Sequence, residues 1–399
     1  MLKFASFANA PYVVGRGSLQ YLVEYLCRVD GGRVALVSDV QAMEKGGFLA
    51  RLQDCVTEAG ATCELVADVK REPHTGDVGR FREEVFRFRP DRIVALGGGA
   101  VIDVAKALWF FYEYPEATWE QAFTPFALPP LGQKAELVAI PTTSGTGSET
   151  TCVAVLIDDE SRRKRLMMSR ELIPRLAILD PDLADTMPMV VAAHSGLDAL
   201  AHALEAAVCR TANPMVVSLA LAAALDIIDW LPAAVAPHSS PENQRQAREI
   251  MHIAAGMAGM AINNASAGLS HAMDQIGPQF GFPHGLVCGI LLPYTVRFTC
   301  PHAAYTTLAR RLGYGGDDEA ACCALVNRLW ELARGLGVPA GFAGLGVPEA
   351  EFERQLGGLV EEALASGSTQ LAPVIPDAAA MSHLFWEAYH GCHPLDSIS

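Results

Sequence analysis

Short runs of branched apolar residues alternate with helical stretches through the first half of the chain, and this alternation most constrains the fold. "RVALVSD" (33–39), "RIVALGGG" (92–99) and "ELVAIPTT" (136–143) each read as a buried strand ending in a glycine or polar turn. Between them, "QAMEKGGFLARLQDCVTEAG" and "TGDVGRFREEVFRFRP" read as helices. Strands this apolar need cover on both faces, and intervening helices supply it, so a parallel sheet is predicted. "CVAVLID", "KRLMMS" and "LAILDP" extend the strand-like pattern to about residue 181.

The pattern changes near "DPDLADTMP", residues 180–188. From "DTMPMVVAAHSGLDALAHALEAAV" onward, Ala, Leu and Met recur at helical spacing, Pro and Gly punctuate the sequence, and strand signal all but disappears. An α/β domain over residues 1–184 and an all-α domain over 185–399 are predicted, with "GCHPLDSIS" as a loose tail. The 399 residues suit two or three domains, and 51% hydrophobic content is ample for their cores. No run of about 18 apolar residues is evident, and "MLKFASFANAPYVVGRGS" lacks the pattern of a secretion signal, so a cytoplasmic protein is expected. The net charge of -15 argues against nucleic acid and anionic membranes as partners. Ten cysteines occur without a C-x-x-C pair, which suits reduced thiols packed as small hydrophobes.

Two polar glycine loops follow strands. In "RIVALGGGAVIDVAKALWFF", Gly97, Gly98 and Gly99 precede a helix whose free N–H groups suit a pyrophosphate, although a plain tight turn fits the same residues. In "IPTTSGTGSET", Thr142, Thr143, Thr146 and Ser148 can donate to phosphate or ribose, or cap a helix. Two such loops at strand ends favour a nucleotide. Asp39 ends its strand where a carboxylate can accept from ribose hydroxyls and repel a 2'-phosphate, which favours NAD over NADP; an N-cap is the competing role.

In "HSGLDALAHALEAAV", Asp198 and His202 are four apart on one helical face. Burying that pair needs either a mutual hydrogen bond or a cation. His271, in a helical stretch, and His284, at a Pro-His-Gly turn, complete one oxygen and three nitrogen donors, a set suited to Fe(II), Zn(II) or a neighbouring divalent metal.

Taken together, "GGGAVIDVAK", "IPTTSGTGSE", "LAILDPDLADTMP", "GLDALAHALEA", "GLSHAM" and "FPHGLVCGILLPY" resemble, in content and order, the iron-containing, metal-dependent alcohol dehydrogenases. This "group III" family includes lactaldehyde (1,2-propanediol) and 1,3-propanediol oxidoreductases. The resemblance runs from about residue 4 to residue 300 and more loosely to about 390. It implies a Rossmann-like N-terminal domain and a helical metal-binding domain, the dehydroquinate synthase-like fold. It implies metal ligands at Asp198, His202, His271 and His284, with Fe(II) the first expectation and Zn(II) the second. It implies NAD contacts at Asp39, Gly97, Gly98, Gly99, Asp103, Thr142, Thr143, Thr146 and Lys164. The implied substrate is a small alcohol, aldehyde or ketone, and the implied assembly is a homodimer or larger homo-oligomer.

The sequence departs from the family pattern at four places. Gln275 stands where a second histidine commonly follows the one matching His271, so it becomes a possible substrate contact that cannot act as a base near pH 7. The stretch from His271 to His284 is one residue shorter than in several relatives, Ala100 replaces a frequent serine, and Glu72 a frequent asparagine. With Gln275 in that place, the proton would leave through water, a ribose hydroxyl or another histidine, with His252 a candidate whose commoner role is in the core or at the surface. The alternatives to a metal-dependent dehydrogenase are a lyase resembling dehydroquinate synthase, a maleylacetate-reductase-like enzyme and a nucleotide-binding protein without activity. No clustering of basic residues near the ligands favours the first, and the intact ligand set argues against the other two.

Overall fold

The structure is a computed structural model that describes residues 7–29, 31–70 and 72–396. These divide into two compact units, with the division between Met187 and Pro188 and with Phe7 belonging to the second unit.

The first unit is built on six strands: β1 (Tyr12–Val14), β2 (Arg33–Ser38), β3 (Thr62–Asp68), β4 (Arg92–Gly97), β5 (Glu136–Pro141) and β8 (Leu176–Leu179). Every pairing is parallel, in the order β1-β8-β5-β4-β2-β3. β6 (Val153–Ile157) and β7 (Lys164–Met168) form a separate antiparallel hairpin. The helices that position the candidate site or cover the sheet are α1 (Val40–Lys45), α2 (Phe48–Glu58), α3 (Thr75–Phe88) and α4 (Gly99–Glu113).

The two faces of the sheet have separate cores. Ala35, Val37, Ile93, Ala95, Leu137 and Ala139 pack with Val78 and Val85 of α3 and the apolar side chains of α4. Their neighbours Val34, Leu36, Val94, Leu96, Val138 and Ile140 pack on the other face with Leu52 and Val56 of α2. The period of two is therefore present, but both phases are apolar because both faces are covered.

Two segments differ from the sequence expectation. "QAMEKGGFLARLQDCVTEAG", read as one helix, is two, because Gly47 adopts φ +69° and breaks the run between Lys45 and Phe48. β1 and β3 went unrecognised. Both are edge strands, and β3 leaves Thr62 and Glu64 outside the core, so its sequence lacks the continuous apolar run of a central strand.

In the second unit, all regular elements among the described residues are helical. α5 (Met189–Val208), α6 (Pro214–Val235) and α7 (Pro241–Asn263) pack on one another, and α9 (His284–Thr299) packs on α5; α8 (Leu269–Ala272) is a single turn. Length and composition alone would let α6 cross a membrane, which the sequence reading did not anticipate. Here its Val216, Ala220, Ala223, Ala224, Ile227, Ile228 and Leu231 form part of the core, and Asn213 caps its first turn with Pro214 at N1.

Candidate metal and nucleotide sites

α5 carries the first half of a donor cluster. Asp198 and His202, one turn apart, are buried in an Ala- and Leu-rich helix that supplies no other charge partner on that turn. The chain returns to them twice. Gly268 leads into α8, which carries His271, and Pro283 sets the first residue of α9, His284. Asp198, His202, His271 and His284 each offer one donor atom, and these lie within 4.8 Å of one another. The Nε2 atoms of His202, His271 and His284 stand 3.6, 3.5 and 3.2 Å from Asp198 Oδ1. A tetrahedron with bonds of about 2.1 Å has edges of about 3.4 Å, so these spacings match a coordination shell.

The polar atoms agree with that geometry. Asp198 Oδ1 and His271 Nε2 are buried with no hydrogen-bond partner. Orphaned buried polar atoms are costly, and a cation would satisfy both at once. Burial opposes the charge on Asp198, yet the neighbouring imidazoles of His202, His284 and His271 hold its carboxyl well below the usual range. Burial pushes the His202 imidazole down to about 4, so it is neutral and able to donate a lone pair at pH 7.

Two further carboxylates touch the cluster. Glu205 Oε2 lies 2.6 Å from His271 Nδ1, and Asp274 Oδ2 lies 2.8 Å from His284 Nδ1. Sequence reasoning missed both. The available signal was spacing: Glu205 is three residues beyond His202 on α5, and Asp274 three beyond His271. His194, one turn before Asp198, was also missed; it is half-buried, and burial lowers its pKa.

The glycine turn lies in the other unit. β4 ends at Gly97, Gly98 is the N-cap of α4, and Thr142 N–H donates to Gly97 O at 3.0 Å. A Cβ on Gly99 would lie 2.7 Å from the Thr146 side chain, so glycine is required for the threonine loop to close on the helix. Thr142 is buried, while Thr143 and Thr146 are partly open. Asp103 faces inward: Oδ1 accepts from Ser148 Oγ at 2.5 Å and Oδ2 from Val155 N–H at 3.0 Å, bracing the loop against the hairpin. Asp39 caps α1 by accepting from Ala42 N–H at 3.1 Å. Lys164 opens β7 on the hairpin, opposite Ile157.

The model of the iron-containing alcohol dehydrogenases matches residues 9–181, and that of their C-terminal domain matches residues 192–389. The chain belongs to the iron-containing alcohol dehydrogenase family. It is similar to the NADPH-dependent butanol dehydrogenase of Clostridium saccharobutylicum, 34% identical over 94% of this chain and 96% of that protein. It is also similar to the aldehyde-alcohol dehydrogenase of Streptococcus pneumoniae, 36% identical over 94% of this chain but only 45% of that longer protein. Its fold matches the iron-containing alcohol dehydrogenase of Thermococcus thioreducens, with a TM-score of 0.87 and 34% identity over 97% of this chain and all of that one. The enzyme is thus an oxidoreductase of alcohols and aldehydes, with iron and a nicotinamide dinucleotide as its cofactors.

Of the residues singled out in the sequence, the structure brings together Asp198, His202, His271 and His284, and separately Gly97, Gly98, Gly99, Thr142, Thr143 and Thr146. Gln275 begins the turn before Ile276–Phe280, next to Asp274. His252 is buried in α7.

Proposed function

We propose that the enzyme moves a hydride between NAD(H) and a small primary or secondary alcohol, aldehyde or ketone, with Asp198, His202, His271 and His284 as the metal ligands. The proposal rests on one observation: an oxygen and three nitrogen donors converge within 4.8 Å around buried, unpartnered Asp198 Oδ1 and His271 Nε2. A divalent metal, Fe(II) or Zn(II), would supply Lewis-acid polarisation of the substrate oxygen. Asp198 and the three imidazoles fix that position.

Gln275 has no titratable group, so it cannot take up the proton of the alcohol. His194 is one helical turn before Asp198, and burial keeps its imidazole neutral at pH 7, ready to accept. For the dinucleotide, the glycine turn and the partly open Thr143 and Thr146 support contact with its phosphates. The Asp39 carboxylate at the end of β2 supports NAD, whereas the NADPH dependence of the Clostridium relative argues for NADP. Comparing kcat/KM with NADH and NADPH decides between them; Asp39→Gly should raise the NADPH value if Asp39 repels a 2'-phosphate.

The decisive experiment is metal analysis of anaerobically purified protein coupled to NADH and NADPH oxidation across an aldehyde panel. About one metal per chain and turnover with short aldehydes are expected. Absence of both would overturn the proposal.

A further inference from the structure

We infer that Glu205 and Asp274 are positioning residues that make His271 and His284 the strong donors of the cluster and leave His202 the weakest. This rests on the metal-site reading above and adds a ranking that the ligand set alone does not contain.

Glu205 is buried, and all its contacts are acceptor contacts. Oε2 accepts from Gly268 N–H at 2.8 Å and from His271 Nδ1–H at 2.6 Å, and Oε1 accepts from Ser270 N–H at 2.6 Å. One carboxylate on α5 therefore fixes both the backbone that leads into α8 and the ring that α8 carries. The fit is close: a Cβ on Gly268 would lie 3.0 to 3.1 Å from the Glu205 side chain. Ser270 is held from the other side, its Oγ 2.7 Å from Thr295 Oγ1 of α9. With its Nδ1 proton donated to Glu205, His271 presents its Nε2 lone pair to the centre of the donor cluster.

Asp274 does the same for His284. It is buried, and Oδ2 lies 2.8 Å from Nδ1, which leaves Nε2 facing Asp198 Oδ1 at 3.2 Å. Cys288, one turn along α9, lies 3.8 Å from both nitrogens of that ring and limits its tilt. A carboxylate behind an imidazole fixes its tautomer and raises its basicity as a ligand.

His202 has no such support. Its Nδ1 is buried without a hydrogen-bond partner, and its ring is held by stacking on His271, centroids 4.6 Å apart and planes inclined by 22°. No carboxylate accepts a hydrogen bond from its Nδ1, so packing holds the ring.

The test is competition of Co(II) and Zn(II) between a chelator and the metal-depleted full-length protein, with circular dichroism and Tm of the apo forms alongside. Glu205→Gln places an amide NH2 among three N–H groups, and Asp274→Asn places a neutral group behind His284. Each should weaken metal affinity roughly 10- to 100-fold. Asp274→Asn should do so with little change in apo Tm, which keeps the test decisive if Glu205→Gln folds poorly. His202→Ala should weaken binding less than His271→Ala or His284→Ala. The inference is overturned if Asp274→Asn binds metal as the wild type does, if either variant lowers apo Tm without changing affinity, or if His202→Ala is the worst of the three histidine variants. A wild-type protein that takes up no metal would instead sink the metal-site reading itself.

Discussion

Asp198 is the residue on which the cluster converges, since all three histidine Nε2 atoms lie within 3.6 Å of its Oδ1. Asp198→Ala should lose metal binding and metal-dependent turnover together, measured by metal content and NADH oxidation; unchanged turnover would remove Asp198 from the ligand set. His194 makes a second residue-scale prediction. His194→Asn should lower kcat for alcohol oxidation and flatten its acid limb, because the base that must be deprotonated is gone, while metal content stays at the wild-type level. Added imidazole or Gln275→His should restore part of the rate. A pH profile identical to that of the wild type would exclude His194 as the proton carrier. Asp198 and His202 were legible in sequence because a carboxylate and an imidazole four apart on an Ala- and Leu-rich helix need a reason to be buried. Glu205 was not legible, since a glutamate near the end of such a helix also reads as solvent-facing. Its role depends on the chain returning through Gly268, 63 residues later.

Among the elements, the turn from β4 into α4 leaves no room for a side chain at Gly99. Gly99→Ala places a methyl group 2.7 Å from Thr146, so the threonine loop must shift. The expected result is a loss of about 1–3 kcal/mol in stability and a raised KM for the dinucleotide, with kcat nearly retained at saturation. Thermal unfolding and steady-state kinetics check both, and wild-type values for both would show that the loop yields without cost. The strands on either side were legible because central parallel strands must be apolar on both faces. β1 and β3 were not, because an edge strand needs less apolar sequence. The break at Gly46 and Gly47 shows the same limit: the sequence permits a helix through two glycines, and only packing decides that the run stops.

At the scale of the molecule, the first unit buries two opposite charges with separate effects on stability. Burial raises the Glu149 carboxyl to about 7, with the backbone and Lys106 opposing. Burial lowers the Lys106 ammonium to about 8, despite Asp103, Cys152 and Glu149; its Nζ donates to Thr151 O, Thr151 Oγ1 and Val153 O. The folded Glu149 pKa exceeds the unfolded one, so its contribution is full below about pH 4.5 and lost as pH rises through 7. The folded Lys106 pKa is depressed, so its contribution is present above about pH 10.5 and lost as pH falls through 8. Their combined contribution is therefore lowest between pH 7 and 8. Relative to wild type, Glu149→Gln should gain stability as pH rises from about 4.5 to 7, reaching about 3 kcal/mol, because one pKa unit is about 1.36 kcal/mol. Urea unfolding at several pH values measures this, and a pH-independent difference would refute it.

The sequence by itself determined the α/β and all-α halves, the two glycine loops and the four donor residues. The halves, the loops and the Asp198–His202 pair depend on short-range regularities of apolar period, turn chemistry and side chains one helical turn apart, whereas His271 and His284 joined that pair through the family resemblance. The tertiary structure decided what those residues touch. It made Asp39 a cap and Asp103 a brace. It joined His271 to Glu205 and His284 to Asp274, and left His202 Nδ1 unpartnered. The reason is physical: a hydrogen bond between residues dozens of positions apart depends on the packing of whole helices, and local spacing does not encode that packing.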